Sequence, residues 1–198
     1  MATQKAKSVS PLSYSRIGGI DPGIDGGIAC IDNGEAKAVR MPTKQVKGLL
    51  IEKGIVNPAN KRSIDGTALL HILEEWAPEI IFMELVNSMP GDGKNGVLGA
   101  GIYKGAVIAV IEMCSIQVVT VYSQTWQSNL FGKIKRDKEL STADRRKLRK
   151  QISIDHSKLH YPQIDLRPGR CENDQDGISD AVCIADFGRK WCGNKIKT

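Results

Sequence analysis

Apolar and polar positions change period several times along the chain. Ile17 to Ile20 form a short apolar run that ends at the turn Asp21-Pro22-Gly23. Gly27 to Ile31 and Ala36 to Met41 are two more runs, separated by Asp32-Asn33-Gly34, a hairpin turn signal. Together they predict three strands in an antiparallel meander. Residues 44–61 are polar, carry Gly and Pro, and predict a loop. From Ser63 to Trp76 the apolar positions 64, 68, 69, 72, 73 and 76 follow helical spacing, and Pro78 ends that helix. Glu79 to Met83 reads as a buried strand closing at Glu84. A glycine-rich loop, Ser88 to Gly96, precedes an apolar helix over about 97–114 with small residues at Gly99, Gly101, Gly105, Ala106 and Ala109. Gln117 to Tyr122 is β-branched and predicts a strand. Ser123 opens a short helix holding Trp126. Ser141 to Asp144 (STAD) has the form of a capping box and opens a helix to about 157. Residues 158–173 form a loop with two prolines. Asp176 to Trp191 is a final helix, apolar at 178, 181, 182, 184, 185 and 187.

Five strands and several helices in this order predict a mixed α/β layer with an antiparallel start. Helices dominate after the fifth strand, which argues against a doubly wound dinucleotide fold. Gly18-Gly19 also fails the dinucleotide pattern, because no helix opens directly after it. Composition is globular, with 41% hydrophobic and 25% charged residues. The length of 198 residues suits one domain. Residues 1–14 hold no acid and no apolar periodicity, so we expect a flexible basic arm before a domain over 15–198. No apolar run reaches the ~18 residues of a membrane span, so no membrane partner is expected. Five cysteines without CxxC pairs, and no apolar leader core in the arm, point to an intracellular reducing compartment. A bacterial or phage-infected cytoplasm is expected and an organelle stays open. A zinc site from His156, His160, Cys171 and Cys183 fits poorly, because the cysteines are too far apart. His71 reads as a helix-surface or satisfied core residue.

Charge is concentrated. Lys plus Arg number 28 and Asp plus Glu 22, a net charge of +6. Residues 133–150 hold nine basic and three acidic residues, so this one segment carries the whole surplus. Such concentration points to a polyanion partner. A solvated helix face is the plainer alternative.

Four acids sit at the ends of elements. Asp21 ends the first strand and Glu84 the fourth. Asp176 and Asp180 lie at i and i+4 in the first turns of the last helix and share a face. Like charges so placed repel unless a cation sits between them. Four converging carboxylates make the oxygen-rich site that Mg²⁺ prefers.

IGGIDPGIDGGIACID, EIIFMELVNSMPGDGKNG and DGISDAVCIADFG resemble the three acidic motifs of the RuvC-type Holliday junction resolvases, members of the ribonuclease H-like superfamily. The middle motif and its small-residue helix are most similar to the phage-type and chloroplast branch. The resemblance covers about residues 16–191. It implies a ribonuclease H-like α/β fold, a mixed five-stranded sheet with antiparallel first three strands, flanked by helices. It implies that Asp21, Glu84, Asp176 and Asp180 are catalytic and bind two Mg²⁺ ions per site, with Mn²⁺ able to substitute. The last two acids lie four residues apart here and three in the bacterial enzyme, which makes Asp174 a reserve candidate for Asp176.

The implied reaction is paired symmetric nicking of four-way junction DNA by a homodimer, leaving 5′-phosphate and 3′-hydroxyl ends. The helix over 97–114 would make the dimer contact or merely pack on the sheet. Lys94, Lys133, Lys135, Arg136, Arg145, Arg146, Lys147, Arg149 and Lys150 would contact the DNA. Trp126 would stack on a base or anchor its helix to the core. Two alternatives stand beside this reading: a ribonuclease H-like nuclease acting on RNA–DNA hybrid or structured RNA, which would share the carboxylates, and a non-catalytic junction-binding module, against which the four acids argue because a pure binder gains nothing from repelling phosphate.

Overall fold

The computed structural model describes residues 14–45, 62–85, 94–132 and 140–195. The basic arm, most of the predicted 44–61 loop and most of the glycine-rich loop therefore lie outside the described residues. So do Lys133, Lys135 and Arg136.

The described elements are β1 (Arg16–Asp21), β2 (Gly27–Asp32), β3 (Glu35–Arg40), β4 (Thr43–Gln45), β5 (Arg62–Ile64), α1 (Gly66–Trp76), β6 (Ile80–Glu84), α2 (Lys94–Met113), β7 (Gln117–Val121), α3 (Ser123–Phe131), α4 (Thr142–His160) and α5 (Asp176–Lys195). The main sheet has the order β3-β2-β1-β6-β7. The meander β1–β2–β3 is antiparallel, while β6 and β7 run parallel to β1. Asn33 and Gly34, both at positive φ, make the β2–β3 turn as the Asn-Gly signal requires.

The sequence misassigned the region before α1. Ser63 and Ile64 belong to β5, which pairs with β4 in a separate two-stranded ribbon. The helix begins after Asp65, whose carboxylate accepts from the backbone N–H of Ala68 at 3.3 Å as an N-cap.

The sheet is covered on both faces. On one face α1 and α2 bury Leu69, Leu73, Val107 and Ile111 against Ile20, Ile28, Ile81 and Met83. On the other, α5 lays Ala181, Val182 and Ala185 on Ala29, Ile31 and Ala36, and packs Cys183, Ile184 and Phe187 against Ile17, Ile80 and Phe82. The close fit of α5 depends on Gly19: a β-carbon there would fall on the carbonyl oxygen of Ala181 and the backbone of Ala185. This contact accounts for a glycine that the dinucleotide pattern could not. α4 packs on α5, with Ser153 and Ser157 buried between them.

Candidate active site at the sheet edge

The two central parallel strands end together. Ile20 pairs with Met83, so Asp21 and Glu84, one residue further on, are neighbours at the carboxyl edge. Both fall on the face covered by α5, by the alternation of strand side chains. Asp176 and Asp180 come to the same edge from the start of α5. The four acids predicted from element ends are thus brought together, close enough that Glu84 and Asp176 act on Asp21, and all three on Asp180, by charge repulsion.

Burial, above all, pushes the Asp21 carboxyl up to about 7, with the Glu84 charge adding to it. The backbone N–H of Gly23, 3.2 Å from Asp21 Oδ1, works the other way. Asp180 is likewise pushed up to about 7, first by burial and then by its three acidic neighbours, against a lowering influence of the Ser153 hydroxyl. Each carboxyl is held near its protonated form because its charge is poorly solvated and faces like charge.

Two supports come from residues that the sequence analysis places in other roles. Ser123 donates its hydroxyl to Glu84 Oε1, and the Trp126 indole N–H donates to Glu84 Oε2 at 3.1 Å. Trp126 is fully buried, so it anchors α3 to the core and orients Glu84; its ring has no exposed face for a base. The β-branched strand β7 and the turn into α3 deliver both donors. No sequence signal tied them to Glu84, because the contact spans about forty residues.

The third support is Lys150. Its ammonium lies 2.5 Å from Asp176 Oδ2, and its charge lowers the Asp21 carboxyl slightly. Lys150 therefore belongs to the acidic edge as much as to the basic face of α4. Along that helix Arg146, Lys147 and Arg149 are exposed and Arg145 partly so. Lys94 opens α2, with its side chain outside the described residues. Asp174 is not part of the edge. It pairs with Lys158 at 2.6 Å and Arg167 at 2.8 Å, which hold its carboxyl below the usual range.

The donor set at the edge, four carboxylates with no thiolate or imidazole, is chemically that of a hard divalent cation. The raised carboxyls show negative charge without full compensation. As the side chains stand, no three His, Cys, Asp or Glu groups among the described residues form a set that could hold a metal ion. Asp176 lies on Lys150 and Glu84 on its two donors. The residues fit the ion by type, and to ligate one Asp176 would have to give up its ammonium partner. The histidine and cysteine set considered for zinc is likewise not assembled: His156 bonds to Asp186 at 3.1 Å, and Cys171 lies 3.7 Å from Arg40.

No protein-family model matches the chain, and no curated protein matches it. Among solved structures it is similar to the RuvC of Thermus thermophilus in complex with a Holliday junction substrate, at 12% identity and a TM-score of 0.53, covering 91% of this chain and 96% of that one. It also matches the yeast mitochondrial Holliday junction resolvase Ydc2 at 16% identity and a TM-score of 0.49, covering 95% of this chain and 83% of that one. The fowlpox virus resolvase with its junction DNA matches at 13% identity and a TM-score of 0.41, covering 91% and 99%. With the first of these, the five-stranded sheet and its flanking helices establish that the chain has the ribonuclease H-like fold of the RuvC resolvases.

Proposed function

We propose that the chain is a metal-dependent endonuclease that resolves four-way DNA junctions by paired symmetric nicks, leaving 5′-phosphate and 3′-hydroxyl ends. The observation that carries this reading is the acidic edge itself. Two central strands and one helix end on four carboxylates, two of them pushed up to about 7. A fold gains nothing from gathering uncompensated charge in this way, and a pure DNA binder would repel phosphate with it. The nuclease domain is residues 15–198, with residues 1–14 a basic arm.

Asp21, Glu84, Asp176 and Asp180 are the metal ligands. Mg²⁺, two ions per site with Mn²⁺ able to substitute, supplies Lewis acidity at the scissile phosphate when bound. To hold the ion, Asp21 and Asp180 would have to be ionised, and the charge of the ion would offset the burial that raises both carboxyls. Ser123 and Trp126 keep Glu84 in one orientation throughout. Lys150, now on Asp176, would be free to meet a phosphate oxygen once Asp176 held the ion. Arg145, Arg146, Lys147 and Arg149 on α4, with Lys94, Lys133, Lys135 and Arg136, neutralise the backbone of the arms.

A junction has two equivalent strands to cut, and one chain has one set of acids, so the working unit is a homodimer. The outer row of α2 supports that: Leu98 and Ile102 are 63% and 59% exposed, and Gly101 and Gly105 leave open space beside them. No disulfide joins the five cysteines, all of which lie among the described residues. No described helix is long and apolar enough to cross a membrane.

The test is a mobile four-way junction incubated with the chain and Mg²⁺. Wild type should give paired, symmetric, ligatable nicks. Asp21→Asn, Glu84→Gln, Asp176→Asn and Asp180→Asn should each lower the rate at least ~100-fold while junction binding persists. Preferred cutting of an RNA–DNA hybrid would replace this reading by the related nuclease. Junction binding with no cutting in any divalent ion would leave a binding module.

A further inference from the structure

We infer that Arg40 and Arg62 form a second phosphate-binding site beside the acidic edge, on its β3 side, and take the backbone of the strand being cut. This rests on the nucleic-acid reading above and adds residues outside the basic segment.

The register places Arg40. Asp21 pairs with Gly27, and Gly27 pairs with Arg40. Glu84, Asp21, Gly27 and Arg40 therefore lie on one row across the sheet edge. Alternation puts Arg40 on the same face as Ala36, which packs on α5, and hence on the face of Asp21. At a strand spacing of about 4.8 Å, its backbone is roughly 10 Å from that of Asp21. On that face Gly27 lies under the α5 backbone at Gly177 and Ile178, so Asp21 and Arg40 flank the first turn of that helix.

The partners of these arginines make them available. Arg62, on β5, reaches across to Asp25 in the turn that follows Asp21, with Nη2 2.5 Å from Oδ1. Arg40 Nη2 lies 3.9 Å from the same oxygen, beyond hydrogen-bond distance. Arg40 Nη1 donates to the Cys171 sulfur at 3.7 Å, a weak acceptor. Among the described residues, Arg40 thus has five N–H donors and no oxygen within hydrogen-bond reach. Both arginine side chains are 39% exposed, and one carboxylate balances the two of them. Two guanidinium groups converging on a single exposed acid leave one positive charge in surplus and unused planar donors. That is the chemistry of a phosphate clamp.

The experiment measures binding of the full chain to a four-way junction with Ca²⁺ in place of Mg²⁺, from 50 to 200 mM KCl. The chains compared are wild type, Arg40→Gln/Arg62→Gln, and Arg40→Lys/Arg62→Lys. If each arginine neutralises one phosphate, the glutamine pair should flatten the slope of log K against log salt by about 1.8. Its deficit against wild type should then shrink roughly 12-fold over that salt range. The lysine pair should keep the wild-type slope. Uncharged methylphosphonates placed within three nucleotides of the cut should weaken wild type more than the glutamine pair. A folded glutamine pair with the wild-type slope would make the arginines an ion-pair latch for the turn and overturn this inference alone. A wild-type chain that binds no junction would overturn the resolvase reading, and this inference with it.

Discussion

Among the described residues, the carboxyls of Asp21 and Asp180 are the most strongly raised. Their carboxyls are raised to about 7 when folded and titrate near 3.9 when the chain is unfolded. Below about pH 4 both states hold the protons. Between about 4 and 7 the folded chain still holds protons that the unfolded chain has released, so stability falls as pH rises. The cost is complete above about 7. Asp21→Asn should therefore melt higher than wild type at pH 8, by on the order of 4–8 °C for ~2 kcal/mol, and little differently at pH 4. Thermal melts at the two pH values without divalent ions check this, and an equal difference at both would refute the assigned cause. Asp186 behaves oppositely. It is 2% exposed and accepts from Tyr161 at 2.8 Å, Arg189 at 2.7 Å and His156 at 3.1 Å. These partners hold its carboxyl far below the usual range, so its stabilisation is lost only as pH falls below about 4, outside the window of the other two.

At the scale of elements, α2 carries the sharpest prediction. Leu98, Gly101, Ile102 and Gly105 form an outward row on a helix whose other side is core. A stable dimer buries roughly 800 Å² per partner, and flat small positions let two such helices approach closely. Leu98→Lys/Ile102→Lys should shift sedimentation from dimer to monomer without lowering the melting temperature of the monomer. A monomeric wild type on junction DNA would refute the helix contact. Elements with a strong apolar period were legible from sequence: β1 to β3 from short apolar runs and an Asn-Gly turn, α5 from six apolar positions on one face. The ribbon β4–β5 was not, because three-residue strands have no measurable period. Ile64, spaced as a helical residue, belongs to the strand before the helix. The apolar spacing predicts an end of α5 at Trp191, whereas the helix passes Gly193 and reaches Lys195. The four acids were legible because each closes an element. Ser123, Trp126 and Lys150 were not legible as their partners, since only the tertiary fold brings α3 and α4 to that edge.

Over the whole molecule, α5 is the hub. It touches β1, β2, β3, β6, α3 and α4, and Ile178, Ala181, Val182, Cys183, Ile184 and Ala185 are all fully buried. Its backbone lies so close to Gly19 that helix and strand form one body. Amide hydrogens of residues 181–185 and of the middle of β1 should then exchange with solvent only through global unfolding, while those of residues 145–150, on the exposed start of α4, exchange through local opening. Exchange followed by mass spectrometry at pH 6 and pH 8 would show it, and equal protection in the two regions would refute it. On that expectation Asp21 and Asp180 would ride on slowly opening elements, and Lys150 on a part that opens more readily. The carboxylates cannot drift apart to relieve their repulsion. The counter-charge opposite them is the component that is free to be exchanged.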